Sequence, residues 1–351
     1  MISDFRLYDP LSTQRGRVLG GRRLGVLQGS DFDVTRNLRG ATANIVGTDI
    51  LRLDRLGLPY DVLHVTKNYF RGRDRMSLDK YDVLINTATN ADSDAGVLNV
   101  MTKLLSHFRG RVINDPATVL RTTRDRVSLA LADVPDLIAP STVRIRNSSP
   151  SALSAVIEQG NISFPAILRK AGTHLGGHLA IVNREEEVYL YLKSCRRGSV
   201  LSHLYLTSFF DFKDSDGLYR KYRIFFIGDQ PILRSMIVSD SWNVHTSERA
   251  RYMTARPELT EQERRIVARG FGGLPAKTKA VLNEIRRRVG LDFFGIDFSV
   301  FDGSRVLLFE ANATMNFFDP IVDTTKNTDF PLFAQVVPPA RAAFEALLSS
   351  S

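Results

Sequence analysis

The chain has 351 residues, 43% hydrophobic and 24% charged, with a formal net charge of +9 at pH 7; that length implies two or three domains around separate cores. No apolar run approaches the ~18–20 residues of a membrane span, the opening MISDFRLYDPLSTQRGR carries no apolar signal region, and a single cysteine, Cys195, excludes an internal disulfide. The expected compartment is therefore the cytoplasm.

Arginine well outnumbers lysine, which suits bidentate contacts to phosphate and carboxylate. The basic residues are spread along the chain, with no zinc-ligand spacing and no RNP-like aromatic run. Nucleic acid and membrane are thus not the expected partners; an anionic small molecule is.

In the first third, RLGVLQGS (23–30), YDVLHV (60–65), YDVLINTATN (81–90) and RVINDP (111–116) read as strands, with helices over 44–56 and 97–108 between them. Such alternation argues for a small parallel α/β sheet. The first strand ends in Gly29-Ser30-Asp31 without a following GxGxxG, so it is not a dinucleotide fingerprint. A second unit follows Asp115-Pro116: a helix over 122–132, a strand over 140–146, a helix from Pro150 to Gln159 closed by Gly160, a strand FPAILRK, the segment AGTHLGGH, a partner strand LAIVN, and a helix over 185–194. The remainder begins with apolar LYLTSFFDF, then two strands (219–240) around the turn Gly228-Asp229-Gln230-Pro231. Helices over 257–270 and 275–289 precede a hairpin, GIDFSVFDGSRVLLFEANATMN (295–316), and a closing helix is expected over 339–348.

The hairpin carries the chemistry. A turn centred on Asp302-Gly303 sets Asp297 opposite Leu308 and Ile296 opposite Phe309. Side chains alternate between faces along a strand, so Ile296, Phe298, Val300, Leu307 and Phe309 share a core face. Asp297, Ser299, Glu310 and Asn312 share the other, with Asp297 and Glu310 as diagonal neighbours about 7–8 Å apart. Two carboxylates this close repel unless one is protonated or a cation lies between them. Few protein ligands and an amide oxygen suit Mg²⁺, which takes further oxygens from phosphates.

This arrangement resembles the C-terminal signature of the ATP-grasp superfamily, in which a strand Asp and a following E-x-N hold Mg²⁺ (Mn²⁺ as a substitute) against the ATP phosphates. Asp297, Glu310 and Asn312 match it residue for residue, although Ala313-Thr314-Met315-Asn316 lacks the proline common after the Asn. The resemblance extends upstream in order. Arg169 stands where the family offers a phosphate-binding lysine and Lys170 where proline follows; Gly172, Gly176 and Gly177 would admit phosphates to backbone amides. Arg126 resembles the earlier nucleotide-contacting cation. LTSFFDF resembles the adenine hinge, with Ser208 and Phe209 at the base and Asp211 toward ribose. Arg223 and Arg234 are the catalytic candidates, either of them at a developing oxyanion. Asn243, His245 and Asn316 are substrate candidates.

The implied fold class is α/β and α+β: an ATP-grasp fold with an N-terminal parallel α/β domain (1–118), a small central α+β subdomain (119–203) and a larger C-terminal α+β subdomain (204–351). The implied activity is a carboxylate–amine ligase of the glutathione-synthetase-like or ribosomal-protein-glutamate-ligase-like type, with ATP and small acid and amine substrates. The rival is a kinase that transfers a phosphoryl group to a hydroxyl of an anionic substrate. A homodimer is compatible with either reading.

Overall fold

The computed structural model describes residues 22–31, 60–71, 76–145, 149–172, 179–195, 203–301, 303–315, 317 and 330–349. The expected 44–56 helix, Gly176, Gly177 and Asn316 lie outside these residues.

The N-terminal sheet is parallel, in the order β2-β1-β3-β4, from β1 (Leu24–Gln28), β2 (Asp61–His64), β3 (Val83–Asn86) and β4 (Arg111–Ile113). Alternation divides its apolar side chains between two cores. Leu27 and Leu84 pack with Val97, Leu98 and Met101 of the helix Ala95–Leu105. Leu24, Val26, Val83 and Ile85 pack with Phe293 and Phe344 from the C-terminal part of the chain.

The central sheet is antiparallel, β6-β9-β7-β8, from β6 (Thr142–Ile145), β7 (Ala166–Lys170), β8 (Leu179–Val182) and β9 (Leu204–Ser208). One face buries Ile145, Ala166, Leu168 and Leu206 under Leu153, Ile157, Val188 and Leu192 of the helices Pro150–Gln159 and Glu185–Cys195. The first of these helices has the expected start: Ser149 accepts from the Ala152 amide, and proline occupies the first turn.

The large sheet runs β11-β10-β12-β13-β5, from β10 (Tyr219–Ile227), β11 (Gln230–Ser239), β12 (Phe293–Phe301), β13 (Arg305–Asn312) and the short β5 (Leu137–Ile138). Ile224, Phe226, Leu233, Ile296 and Phe298 form one core with Leu259, Leu282 and Ile285 of the helices Pro257–Arg269 and Ala276–Val289. Strand β5 lies within the expected central segment yet joins the large sheet, and β9 lies past residue 203 yet belongs to the central sheet. The sheets therefore exchange strands across the expected boundaries.

The closing helix differs from expectation. It spans Phe330–Ser349 and carries Pro338 and Pro339 inside it. Each proline removes a backbone donor, but Val336, Ala340, Phe344 and Leu347 are buried against Phe225, Ile227 and Ile232. Tertiary burial outweighs the local preference.

Candidate active site

A cavity of about 460 Å³ lies between the uncovered faces of the central and large sheets. Ile167, Arg169 and Thr207 line it from the central sheet; Lys221, Arg223, Arg234, Asp297 and Glu310 line it from the large one. The segment Ser208–Phe210 joins the two sheets along its wall.

Strand pairing builds its floor. Arg223 on β10 lies opposite Asp297 on β12, and Asp297 lies opposite Glu310 on β13. Directly opposed residues share a face, so one cation and two carboxylates form a row across three strands. The register differs from the sequence-based one. Phe301 pairs with Arg305, a three-residue connection, and the register shifts between Asp297 and Phe298. The shift leaves Phe309 as the extra residue of a β-bulge, and its carbonyl accepts from Arg124 Nη1 at 3.0 Å. A second bulge falls in the β10–β11 ladder, where Arg223 pairs with Ser235 and Ile224 with Leu233. Arg234 is the extra residue there; it lines the cavity, is buried, and donates from Nε to the Phe317 carbonyl at 3.0 Å.

The charges are coupled. Arg223 grips Asp297 through Nε–Oδ1 at 2.6 Å and Nη2–Oδ2 at 2.8 Å, and Lys221 Nζ lies 3.6 Å from Oδ2. Burial raises the Asp297 carboxyl, but Arg223 and Lys221 outweigh it and hold it at about 2. Glu310 is ion-paired with Arg124. Burial, reinforced by Arg169, lowers Arg124 to about 9. Burial also lowers Arg169, against the opposing pull of Asp297, and its Nε lies buried without a hydrogen-bond partner among the described residues. Six basic side chains (Arg124, Arg169, Lys221, Arg223, Arg234 and Arg249) line the cavity against two carboxylates. Arg249 is balanced by buried Glu263; an excess of positive charge remains, the setting a polyanion needs.

The repulsion expected between Asp297 and Glu310 is relieved here by arginines, one on each carboxylate. The two carboxylates still fit a hard divalent cation: Asp297 is held ionised and Glu310 faces it in register. Asn312 fits less well. Its Oδ1 accepts from both the amide and the hydroxyl of Thr314 at 2.9 Å, and it lines a small adjoining cavity rather than the main one. No group of three or more His, Cys, Asp or Glu arranged to hold a metal occurs among the described residues. A cation here would rest on two carboxylates and on oxygens of a bound ligand.

The other expected residues divide. Ser208, Phe209, Asn243 and His245 line the cavity. The Ser208 and Phe209 amides already donate to the carbonyls of Ser141 and Pro165, and the Phe209 ring meets Trp242 edge-on at 5.6 Å. His245 is pushed down by burial and by Lys221 and Arg223, which favours the neutral ring. Asp211 is exposed, accepts from the Lys213 amide, and does not line the cavity. Gly172, at φ 75°, follows β7 and meets the N-terminal sheet's loop instead of the cavity wall. Arg126 is exposed, donates to the Leu120 carbonyl at 2.8 Å and does not line the cavity. Arg124, in the same helix (Arg124–Leu131), enters the cavity instead. Lys221 is a further cavity residue that the sequence reading leaves out, although it lies two residues from Arg223 on the same strand and so shares its face.

No protein-family model matches the sequence, and no curated protein matches it. Solved structures do resemble it. The D-Ala:D-Ser ligase VanG of Enterococcus faecalis superposes with a TM-score of 0.52 at 12% identity, covering 93% of this chain and 98% of that one. A RimK domain ATP-grasp protein of Sphaerobacter thermophilus gives 0.48 at 14%, covering 93% and 100%. The macrocyclase MdnC of Microcystis aeruginosa, solved with the precursor peptide MdnA, gives 0.48 at 13%, covering 93% and 100%. With a cavity between an antiparallel central sheet and a larger sheet, behind a parallel N-terminal one, the chain has the ATP-grasp fold.

Proposed function

We propose that the chain is an ATP-dependent ligase: it converts a substrate carboxylate to an acyl phosphate and passes the acyl group to an amine, releasing ADP and phosphate. The observation that carries this reading is the row Arg223–Asp297–Glu310 on the floor of a cavity with excess positive charge. The nucleotide base would lie against Ile167 and Phe209 beside the connecting segment, and the phosphates toward Arg169 and Arg124. Asp297 and Glu310 would hold Mg²⁺, or Mn²⁺ in its place, which when bound neutralises charge on the β- and γ-phosphates. Arg223 and Arg234 are the candidates to orient the substrate carboxylate and meet the oxyanion of the tetrahedral step. Asn243 and His245 border the space left for the acid and amine. The positive lining supports an acid such as an amino acid or short peptide rather than a neutral molecule.

The test is a screen of amino acids, short peptides and small acids for ATP-dependent phosphate release, with products identified by mass spectrometry. Release that requires both an acid and an amine, with an amide of the summed mass less water, is expected. A stable phosphorylated product would assign a kinase instead.

A further inference from the structure

The cavity face of the central sheet is tied to the N-terminal sheet through one carboxylate. Asp92 lies in the loop after β3, and its side chain is largely buried. Its Oδ1 accepts from Arg144 Nη2 at 2.5 Å and from the Tyr205 hydroxyl at 2.6 Å; its Oδ2 accepts from the Gly172 amide at 3.3 Å. The same loop holds the other side of Gly172, whose carbonyl accepts from Asn90 Nδ2 at 3.4 Å. Asn90 is itself fixed, since its Oδ1 accepts from the Asp92 and Ser93 amides.

These contacts converge on the row of the central sheet that carries Arg169 into the cavity. Arg144, Tyr205 and Arg169 are in register across β6, β9 and β7, so they share a face. Tyr205 is fully buried. Burial and Asp92 both push its phenol up, so it stays a donor to Asp92. The guanidinium of Arg144 also lies over the Tyr205 ring, 5.0 Å from its centre. Three donors from three different strands or strand ends of the central sheet thus meet one acceptor from the N-terminal sheet.

We propose that Asp92 is a positioning residue: it docks the central sheet onto the N-terminal sheet at Gly172 and thereby holds Arg169 over the cavity. This rests on the ligase reading. An acyl phosphate survives only where water is excluded, so the docking contact has a chemical consequence. Loosening it admits water to the intermediate, and ATP is then consumed without amide formation.

Two measurements on the full chain test this. The first uses no nucleotide: hydrogen exchange of the peptide ending at Gly172, read by mass spectrometry. Asp92→Asn keeps the shape and removes the charge, and Tyr205→Phe removes one donor and keeps the ring. Both are expected to speed exchange there roughly five- to tenfold, while exchange in the helix Ala276–Val289 stays native. Native exchange at Gly172 in both variants overturns the docking role. The second counts ATP consumed per amide formed, expected to rise several-fold in both variants together with KM for ATP. Unchanged coupling overturns the positioning role. A native chain that turns over no ATP with any acid and amine would instead sink the ligase reading, and the exchange measurement would still decide the contact.

Discussion

Asp297 is the residue on which the cavity's electrostatics turn. It is buried on the middle strand of a three-strand row, with Arg223 on one side and Glu310 on the other. Its folded value of about 2 lies below the ordinary 3.8. The stability it contributes is therefore present above about pH 4 and lost as pH falls through about 2, on the order of 2 kcal/mol. Comparison of native chain and Asp297→Asn by chemical denaturation should show a deficit in the variant near neutrality that narrows as pH drops from about 4 toward 2. A deficit constant across that range would mean that the ion pair with Arg223 is not what depresses the carboxyl. Glu310 makes a separate prediction. Glu310→Gln keeps the shape but removes the charge opposite Asp297, and ATP turnover should fall by roughly a hundredfold or more. Full activity in a folded Glu310→Gln protein would remove this carboxylate from the phosphate site.

At the scale of elements, strand alternation makes much of the site legible in the sequence: it puts Asp297 and Glu310 on one face and the apolar residues of the hairpin mostly on the other. It does not reveal the bulge at Phe309, because Val306-Leu307-Leu308-Phe309 is apolar throughout and shows no alternation whose phase an extra residue could invert. The three-residue connection and that bulge each shift the register by one residue, and together they turn a diagonal pair into a direct one. Arg126 misses the cavity for a similar reason: two residues along a helix is more than half a turn, so Arg124 faces the cavity while Arg126 faces solvent. The closing helix looks short in the sequence because Pro338 and Pro339 argue locally against it, and only its burial against two sheets overrides them. Gly295 tests how tightly the hairpin is built. It pairs with Asn312, two residues before Asp297, and a Cβ there would meet Met315 Sδ at 2.6 Å and Phe225 Cε1 at 3.0 Å. Gly295→Ala should destabilise the chain by about 1–3 kcal/mol, measured as a lower denaturation midpoint with an unchanged slope. A neutral result would show that Met315 yields freely and that this end of the hairpin is loosely packed.

For the whole molecule, the question is what the excess positive charge between the two sheets is for. Within the fold it is a liability. Arg169 is desolvated, its Nε has no hydrogen-bond partner among the described residues, and its charge lowers the pKa of Arg124. Groups that cost the fold stability and line a cavity are those a ligand would satisfy. ATP with Mg²⁺ at about a hundred times its Kd should stabilise the chain by about 2.7 kcal/mol, a rise in Tm of several degrees. Arg169→Ala should separate the two roles. Its own Tm without ligand should equal or exceed that of the native chain, because a buried cation has been removed, whereas the rise on adding ATP should shrink markedly. If Arg169→Ala instead lowers the ligand-free Tm and keeps the full ATP-induced rise, the arginine is a structural member of the central sheet, and the phosphates belong to Lys221 and Arg223.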